Sequence, residues 1–330
     1  MNKKITNIII GFLLGIGFLF LWIKLIDVKQ VITYAKNLNI TFLILAGFFY
    51  LTAYVFRSLR WRTLLSSFVK ISVIRAFLYW MSGNFLNYLI PIRAGEIIRS
   101  YFLKKSDDIP ISQSLPSVFL DKMFDSMAIL IVIVLIPIMK IKLSGYLIAL
   151  IVAISLLLLV GLFVIFYSVK SEEKIVLLLK KLFSFLPEKY YDKIKDKIEL
   201  FVKGTALFKN HFSLFPKVVF YSFAAVFFDS MFFLFMFKSF GQPINYLQIL
   251  FGYTLIYLSY IIPQPPAQIG SNELIMLLIF SVGMGYDKSM VSAIMMGSHI
   301  FTAVILISVG LIGFAYSGVK IKESFEINAK

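Results

Sequence analysis

The segment NYLIPIRAGEIIR, residues 87–99, gathers Asn87, Arg93, Glu96 and Arg99 around Pro91 and Gly95. An arginine side chain presents a planar fork of donors that matches the oxygens of a phosphate. Pro91 ends one helix, and the next would begin near Ala94 with free N–H groups that attract an anion. Gly95 can supply the backbone angles of such a turn. Glu96, in the first turn after it, can cap the helix or hold an arginine. The chemistry on offer is recognition of a phosphate. A plainer alternative makes Arg93, Glu96 and Arg99 an ion-paired corner at headgroup depth.

Two further groups carry polar chemistry. Asp121, Lys122 and Asp125 lie in SVFLDKMFDSMAIL, with the aspartates four apart and so on one helical face. They can pair with the arginines just named, or only fix that segment in place. Gln264, Gln268, Asn272 and Glu273 surround Pro263, Pro266 and Gly270. Ser271 or Asn272 is the expected N-cap of a following helix. Glu273 would then face a cavity, where it could exchange a proton or pair with a cationic headgroup; a structural cap is the other reading. Asp229 lies inside an apolar run and needs a partner. His299 reads as a hydrogen-bonded packing residue more than a proton relay, and His211 as a bland linker residue.

The sequence has no P-loop, no GxSxG elbow, no Ser-His-Asp order and no metal-spaced histidine pair, so ATP hydrolysis and metal chemistry are not expected. Without cysteines there are no disulfides and no thiol chemistry. No cofactor is expected, and the chain is not expected to be an enzyme.

The elements that must position these residues are apolar. Of 330 residues 60% are hydrophobic and only 15% charged, against about 25% charged in a soluble domain. Residues 5–26, 40–56, 112–138, 143–167, 216–237 and 288–316 are nearly unbroken apolar runs, and about 20 such residues cross a bilayer. The first lacks a small-residue cleavage site after it and reads as a permanent span, not a signal peptide. The net charge of +16 points to loops on the cytoplasmic side and to anionic headgroups, not to nucleic acid. Lys3, Lys4, Arg57, Arg60, Arg62, Lys70, Arg75, Lys320 and Lys322 place both termini in the cytoplasm; Lys140 and Lys142 speak weakly against that scheme. The lysine-rich stretch 170–215 reads as amphipathic surface helices separating a first membrane half, 1–169, from a second, 216–330.

Two segments do not read as ordinary spans. Residues 76–91 are interrupted by Ser82, Gly83, Asn84 and Asn87 and end at Pro91. A full crossing would put Arg93, Arg99, Lys104 and Lys105 outside, so a re-entrant hairpin over 76–103 is expected. A second hairpin, over 247–285 and broken at Pro263, enters from the opposite face. Irregular backbone at that depth survives only inside protein or beside a watery cavity, and opposed broken helices in two halves are a transporter pattern. The fold expected is all-α, with about six spans, two re-entrant hairpins and an inverted repeat. The repeated tetrapeptide FDSM at 124–127 and 228–231 does not fit that phasing and reads as coincidence.

These motifs resemble the lysylphosphatidylglycerol synthase transmembrane-region family of flippase-like membrane domains. The resemblance spans nearly the whole chain. Asn87, Pro91, Arg93, Gly95, Glu96 and Arg99 match its N-x-x-P-x-R-x-G-E-x-x-R block. Its Glu-Arg-x-x-Asp block is similar to Asp121, Lys122 and Asp125. Its Pro-Gly-Gly-x-Gly-x-x-Glu block corresponds to Pro266 through Glu273, with Ala267 and Gln268 in place of the two central glycines. The resemblance implies a membrane domain that moves lipids between leaflets, in some relatives joined to an aminoacyl-transfer domain. Nothing in this sequence is long enough to be that domain, so lysyl transfer is not expected.

The function expected is movement of an anionic phospholipid or polyprenyl-phosphate lipid between leaflets of the cell membrane, with Arg93 and Arg99 on the phosphate and Glu96 and Glu273 shaping the cavity. An intramembrane lipid-phosphate enzyme using Asp121, Asp125 or Glu96, and a scaffold for envelope glycosylation, are the alternatives. The partners expected are membrane lipids, with a homo-oligomer or an envelope-biosynthesis protein also possible.

Overall fold

The apolar runs become helices because no water competes for their backbone groups once they enter a bilayer. In the computed structural model the residues described are 16–25, 27–36, 38–89, 95–139, 145–168, 177, 181, 212–259, 265–320 and 323, and the regular structure among them is entirely helical. In chain order the helices are α1 (Ile16–Leu25), α2 (Val28–Lys36), α3 (Ile40–Leu65), α4 (Val73–Leu89), α5 (Gly95–Asp107), α6 (Ile111–Asp125), α7 (Ala128–Met139), α8 (Gly145–Ser168), α9 (Phe215–Ser239), α10 (Tyr246–Ser259), α11 (Ser271–Met276, widening into a π-helix over Leu277–Val282) and α12 (Lys288–Ser317). Pro91, Arg93, Pro263, Gln264, His211 and most of the linker 170–215 lie outside the described residues.

Helices α3, α9 and α12 are each long and apolar enough to cross a membrane. Helix α8 adds 24 residues without a charged side chain. Ile44, Phe220, Val282 and Ile300 are each more than half exposed, the outward aliphatic surface that lipid tails cover.

The centre of the fold is the pair α3 and α9, which run antiparallel. Phe49 stacks on Phe235 and Phe56 on Phe228, each with ring centroids 5.1 Å apart. The Asn39 N–H, just before α3, donates to the Ser239 carbonyl at the far end of α9 at 2.8 Å. The same order of packing is built on each: α4 on α3 and α10 on α9, then α5 on α4 and α11 on α10, then α6 on α5 and α12 on α11. Across the pair, α4 packs on α12 and α10 on α7. Strict inverted symmetry would pair α10 with α6, and α7, which follows α6 directly, stands in its place.

Both broken segments are hairpins. Arg75 Nη1, at the start of α4, is 2.6 Å from Asp107 Oδ1 at the end of α5. At 17 and 13 residues, α4 and α5 are ~26 and ~20 Å long, short of the ~30 Å hydrocarbon core. In the second hairpin Tyr286 Oη, beyond α11, donates to Gln248 Oε1 in the first turn of α10 at 2.7 Å. The first hairpin opens at the end of the bundle where α3 and α12 finish, since Lys105 Nζ donates to the Gly318 carbonyl at 2.8 Å. The second opens where α9 finishes. They enter from opposite ends.

Small residues let the first hairpin and α12 close up. Ser82 Oγ donates to the Gly310 carbonyl at 2.9 Å, and a Cβ on Gly313 would lie 2.6 Å from the Leu78 carbonyl oxygen. Gly95 was expected to supply unusual turn angles. It is not among the positive-φ glycines, which are Gly241, Gly270, Gly285 and Gly318. Its role is close approach: a Cβ there would overlap the Gly83 carbonyl, and one on Gly83 would lie 2.6 Å from the Gly95 carbonyl oxygen.

Gly95→Ala should therefore part α4 from α5. The obstacle is backbone and cannot relax by a rotamer change, so a loss of about 3 kcal/mol is expected, measured as a lowered unfolding temperature in lipid nanodiscs. Gly17→Ala, with nothing within 4 Å of the added atom, is the control.

Candidate functional site

Two polar sites lie inside the apolar frame. The first is an ionic cluster at the α3–α9 crossing. Arg60 Nε donates to Asp121 Oδ1 at 2.7 Å, its Nη2 to Asp125 Oδ1, and its Nη1 to Ser222 Oγ at 3.2 Å. Arg57 pairs with Asp229 and donates to Tyr253 Oη at 3.2 Å, and its Nε is 3.9 Å from Asp125 Oδ1. Tyr253 Oη in turn donates to Asp229 Oδ2 at 2.5 Å. Arg99 Nη1 donates to Asp121 Oδ2 at 2.9 Å, an oxygen that also accepts from Trp80 Nε1 at 3.1 Å. The Arg99 guanidinium lies over both Trp61 and Trp80, 5.1 and 5.2 Å from their rings.

Three arginines thus face three aspartates, all buried. In a low-dielectric interior an unpaired charge is far costlier than a neutral assembly of the same groups. The cluster is electrically complete.

The second site is where the hairpins meet. On α12, His299 Nδ1 is 2.6 Å from Glu273 Oε1 in the first turn of α11. His299 Nε2 is 2.8 Å from the Ala267 carbonyl and 3.0 Å from Tyr88 Oη near the end of α4. The first hairpin, the second hairpin and α12 thus converge on one imidazole. Glu273 Oε2 and Asn272 Oδ1 are buried acceptors without a hydrogen bond among the described residues.

Several expected residues are brought together. Arg99 reaches Asp121, Asn87 Oδ1 accepts from the Gly95 N–H at 2.8 Å, and Asn272 Nδ2 donates to Gln268 Oε1 at 2.7 Å. Lys122 Nζ is 3.5 Å from Asp125 Oδ2 and 3.9 Å from Glu96 Oε1, so among the described residues the cation nearest Glu96 is a lysine. The N-cap of α11 is Gly270, at φ 78°, with no side-chain capping bond. Ser271 and Asn272, expected there, instead bond back to Gln268. Arg57 and Arg60 are not headgroup charges; buried at 5% and 1% exposure, they leave the orientation argument to the remaining basic residues. Asp229 finds its partner in Arg57. The two FDSM copies, read as coincidence, supply Asp125 and Asp229, and both reach Arg57.

The second tip also shows how the chain tolerates the replaced glycines. Ala267 and Gln268 adopt φ of 53° and 58°, a left-handed conformation costing an L-residue roughly 1–2 kcal/mol. Pro266 and Gly270 frame it, and the turn is closed by the Gln268 N–H donating to the Pro265 carbonyl at 2.8 Å.

Opposed hairpins, helices long enough to span and an outer coat of aliphatic side chains define an α-helical integral membrane protein. The chain belongs to the Lysylphosphatidylglycerol synthase TM region family, which it matches over residues 8–310. It is similar to a UPF0104 membrane protein of Methanocaldococcus jannaschii, 25% identical over 292 residues, covering 85% of this chain and 86% of that one. A UPF0104 membrane protein of Pyrococcus horikoshii is also 25% identical, over 89% of this chain and 91% of its own. No solved structure matches.

Two outcomes test these sites. Arg60→Met leaves Asp121 and Asp125 short of their main cation and should cost ~3–5 kcal/mol, read as a fall in unfolding temperature; a loss below about 1 kcal/mol, the value of an exposed pair, would contradict the buried geometry. Ala267→Gly should raise the unfolding temperature by the equivalent of about 0.5–1 kcal/mol, the relieved strain less the entropy glycine adds to the unfolded chain.

Proposed function

We propose that this protein moves an anionic lipid headgroup, of a phospholipid or a polyprenyl phosphate, from one leaflet to the other. The observation that carries this is the meeting of two hairpins that open at opposite ends of the bundle, joined at Tyr88, His299 and Glu273. A headgroup reaching this junction would find the left-handed turn at Ala267 and Gln268 and the polar side chains of Tyr88, His299 and Glu273 in place of hydrocarbon. Opposed broken helices of this kind favour alternating access. Family membership supports a role with membrane lipids.

In this reading Arg93, adjoining the first tip in sequence, meets the phosphate. Arg99 acts about one turn along α5 from Gly95, on the side toward the hairpin mouth, held by Asp121 and the two indoles. Glu96 and Lys122 flank the opening, and Gln268, Asn272 and Glu273 line the second tip. The end of the bundle that carries Lys70, Arg75, Lys104, Lys105 and Lys320 faces the cytoplasm, as does the N-terminus.

The test is headgroup translocation in proteoliposomes containing fluorescent phosphatidylglycerol. A charge-assisted hydrogen bond is worth about 1.5–3 kcal/mol, so Arg93→Ala and Glu273→Gln should each slow translocation by roughly tenfold or more. The lipid should be recovered chemically unchanged. Rates equal to the parent in both variants would remove the hairpin tips from the mechanism, and a modified lipid would show an enzyme instead.

A further inference from the structure

We propose that His299 and Glu273 form a proton-binding site, that release of its proton parts the two hairpin tips, and that the protein therefore carries protons along with its lipid. The proposal rests on the transport reading above and names what drives it.

The argument begins with hydrogen-bond valence. A neutral imidazole has one N–H donor and one acceptor nitrogen, whereas the protonated ring has two donors. Both nitrogens of His299 face oxygens. Nε2 lies 2.8 Å from the Ala267 carbonyl, which can only accept, so Nε2 carries a hydrogen. Nδ1 lies 2.6 Å from Glu273 Oε1, so a second hydrogen must lie between them, on the ring or on the carboxyl. In either form the pair is neutral and holds one proton more than a neutral histidine beside a free carboxylate. Remove that proton and a nitrogen lone pair faces an oxygen: the Glu273 carboxylate at 2.6 Å if the hydrogen stays on Nε2, or the Ala267 carbonyl at 2.8 Å if it lies on Nδ1. No arrangement of the remaining hydrogens satisfies both contacts.

The surroundings offer one donor, the Tyr88 hydroxyl, which can bond a bare Nε2 but does not remove its repulsion from the Ala267 carbonyl. Among the described residues, α11 contributes Glu273, the 266–268 turn contributes only the Ala267 carbonyl, and α4 contributes the Tyr88 hydroxyl. Neither His299 nor Glu273 makes an ion pair with any other described side chain. The side chains of the pair are 11% and 7% exposed, so water cannot screen the repulsion while the tips are closed. Separation of His299 from the second tip, which carries both Glu273 and Ala267, is the available relief, and the proton then leaves to water at the parted tips. His299 is also the group that holds the two hairpins to one another, through Tyr88 on one side and Glu273 on the other. A proton lost here acts on the contact that closes the path.

The chain has no cysteine, so Leu89→Cys with Ile269→Cys, at half-exposed positions beside the two tips, can be spin-labelled without background. In nanodiscs of phosphatidylglycerol and phosphatidylcholine, the distance between the labels should be short at low pH and lengthen as pH rises. With His299→Gln it should no longer respond, and Glu273→Gln supplies a second non-titrating variant should the first fail to fold. In vesicles of the same lipids an imposed pH gradient should change the direction-dependent rate of lipid movement by up to about tenfold per unit if one proton accompanies each lipid. A label distance unchanged from low to high pH overturns the proposal, as does lipid movement indifferent to the gradient. A pH-dependent separation with no lipid movement in any vesicle would instead defeat the transport reading.

Discussion

Charge neutrality inside hydrocarbon is the constraint around which this molecule is built. Arg57, Arg60 and Arg99 are buried with Asp121, Asp125 and Asp229, and each charge finds its partner on a different helix from its own. Replacing such a cluster by apolar side chains of the same shape is often neutral in stability, so its value lies in what it forbids. Sliding α9 along α3 by a single turn would carry Asp229 away from Arg57 and Ser222 from Arg60. Turning α6 about its axis would strip Arg60 of both its aspartates. The aromatic stacking of Phe49 on Phe235 and Phe56 on Phe228 is greasy and tolerant of sliding by comparison. The ions set the register that the rings fill.

Because Arg57–Asp229 and Arg60–Ser222 cross between α3 and α9 while Arg60–Asp121 and Arg99–Asp121 reach α6 and α5, one network ties the first hairpin to both central helices. Trp80 on α4 is drawn in through its indole N–H and its face. The hairpin is thereby anchored along its walls, and the Gly83–Gly95 contact near its tip needs only to bring two backbones together.

Much of this was legible in the sequence, and the failures have physical reasons. Length and apolarity indicated the spans, and the polar interruptions of 76–91 with the basic residues after it indicated the first hairpin, because a full crossing would carry those charges outside. The pairing of Asp121 with an arginine of that hairpin followed from charge economy. Arg57 and Arg60 were misplaced because arginines near the end of an apolar run look the same whether they reach headgroups or turn inward; only the helix's continuation to Leu65 distinguishes them. The two FDSM copies lie on α6 and α9, which are not counterparts in the repeat, although both aspartates reach Arg57. Gly95 was assigned a dihedral role when its need is space, a distinction that depends on a neighbour, Gly83, lying on another helix. Ala267 and Gln268 could not be predicted to hold a left-handed turn, because local propensity opposes it and the flanking Pro266 and Gly270 overrule it.

The two polar sites differ in a way that bears on motion. In the ionic cluster each buried guanidinium has an aspartate partner and each aspartate an arginine. At the tips, Glu273 Oε2 and Asn272 Oδ1 are buried without a partner among the described residues, and the backbone at Ala267 and Gln268 is held in a costly conformation. Segments with few satisfied polar contacts and stored strain are those that open at least cost. A transporter needs both properties at once: a core that keeps its register through the cycle, and a closure weak enough for a single proton or headgroup to undo. In the transport proposed above, three ion-paired arginines would supply the first and one histidine the second.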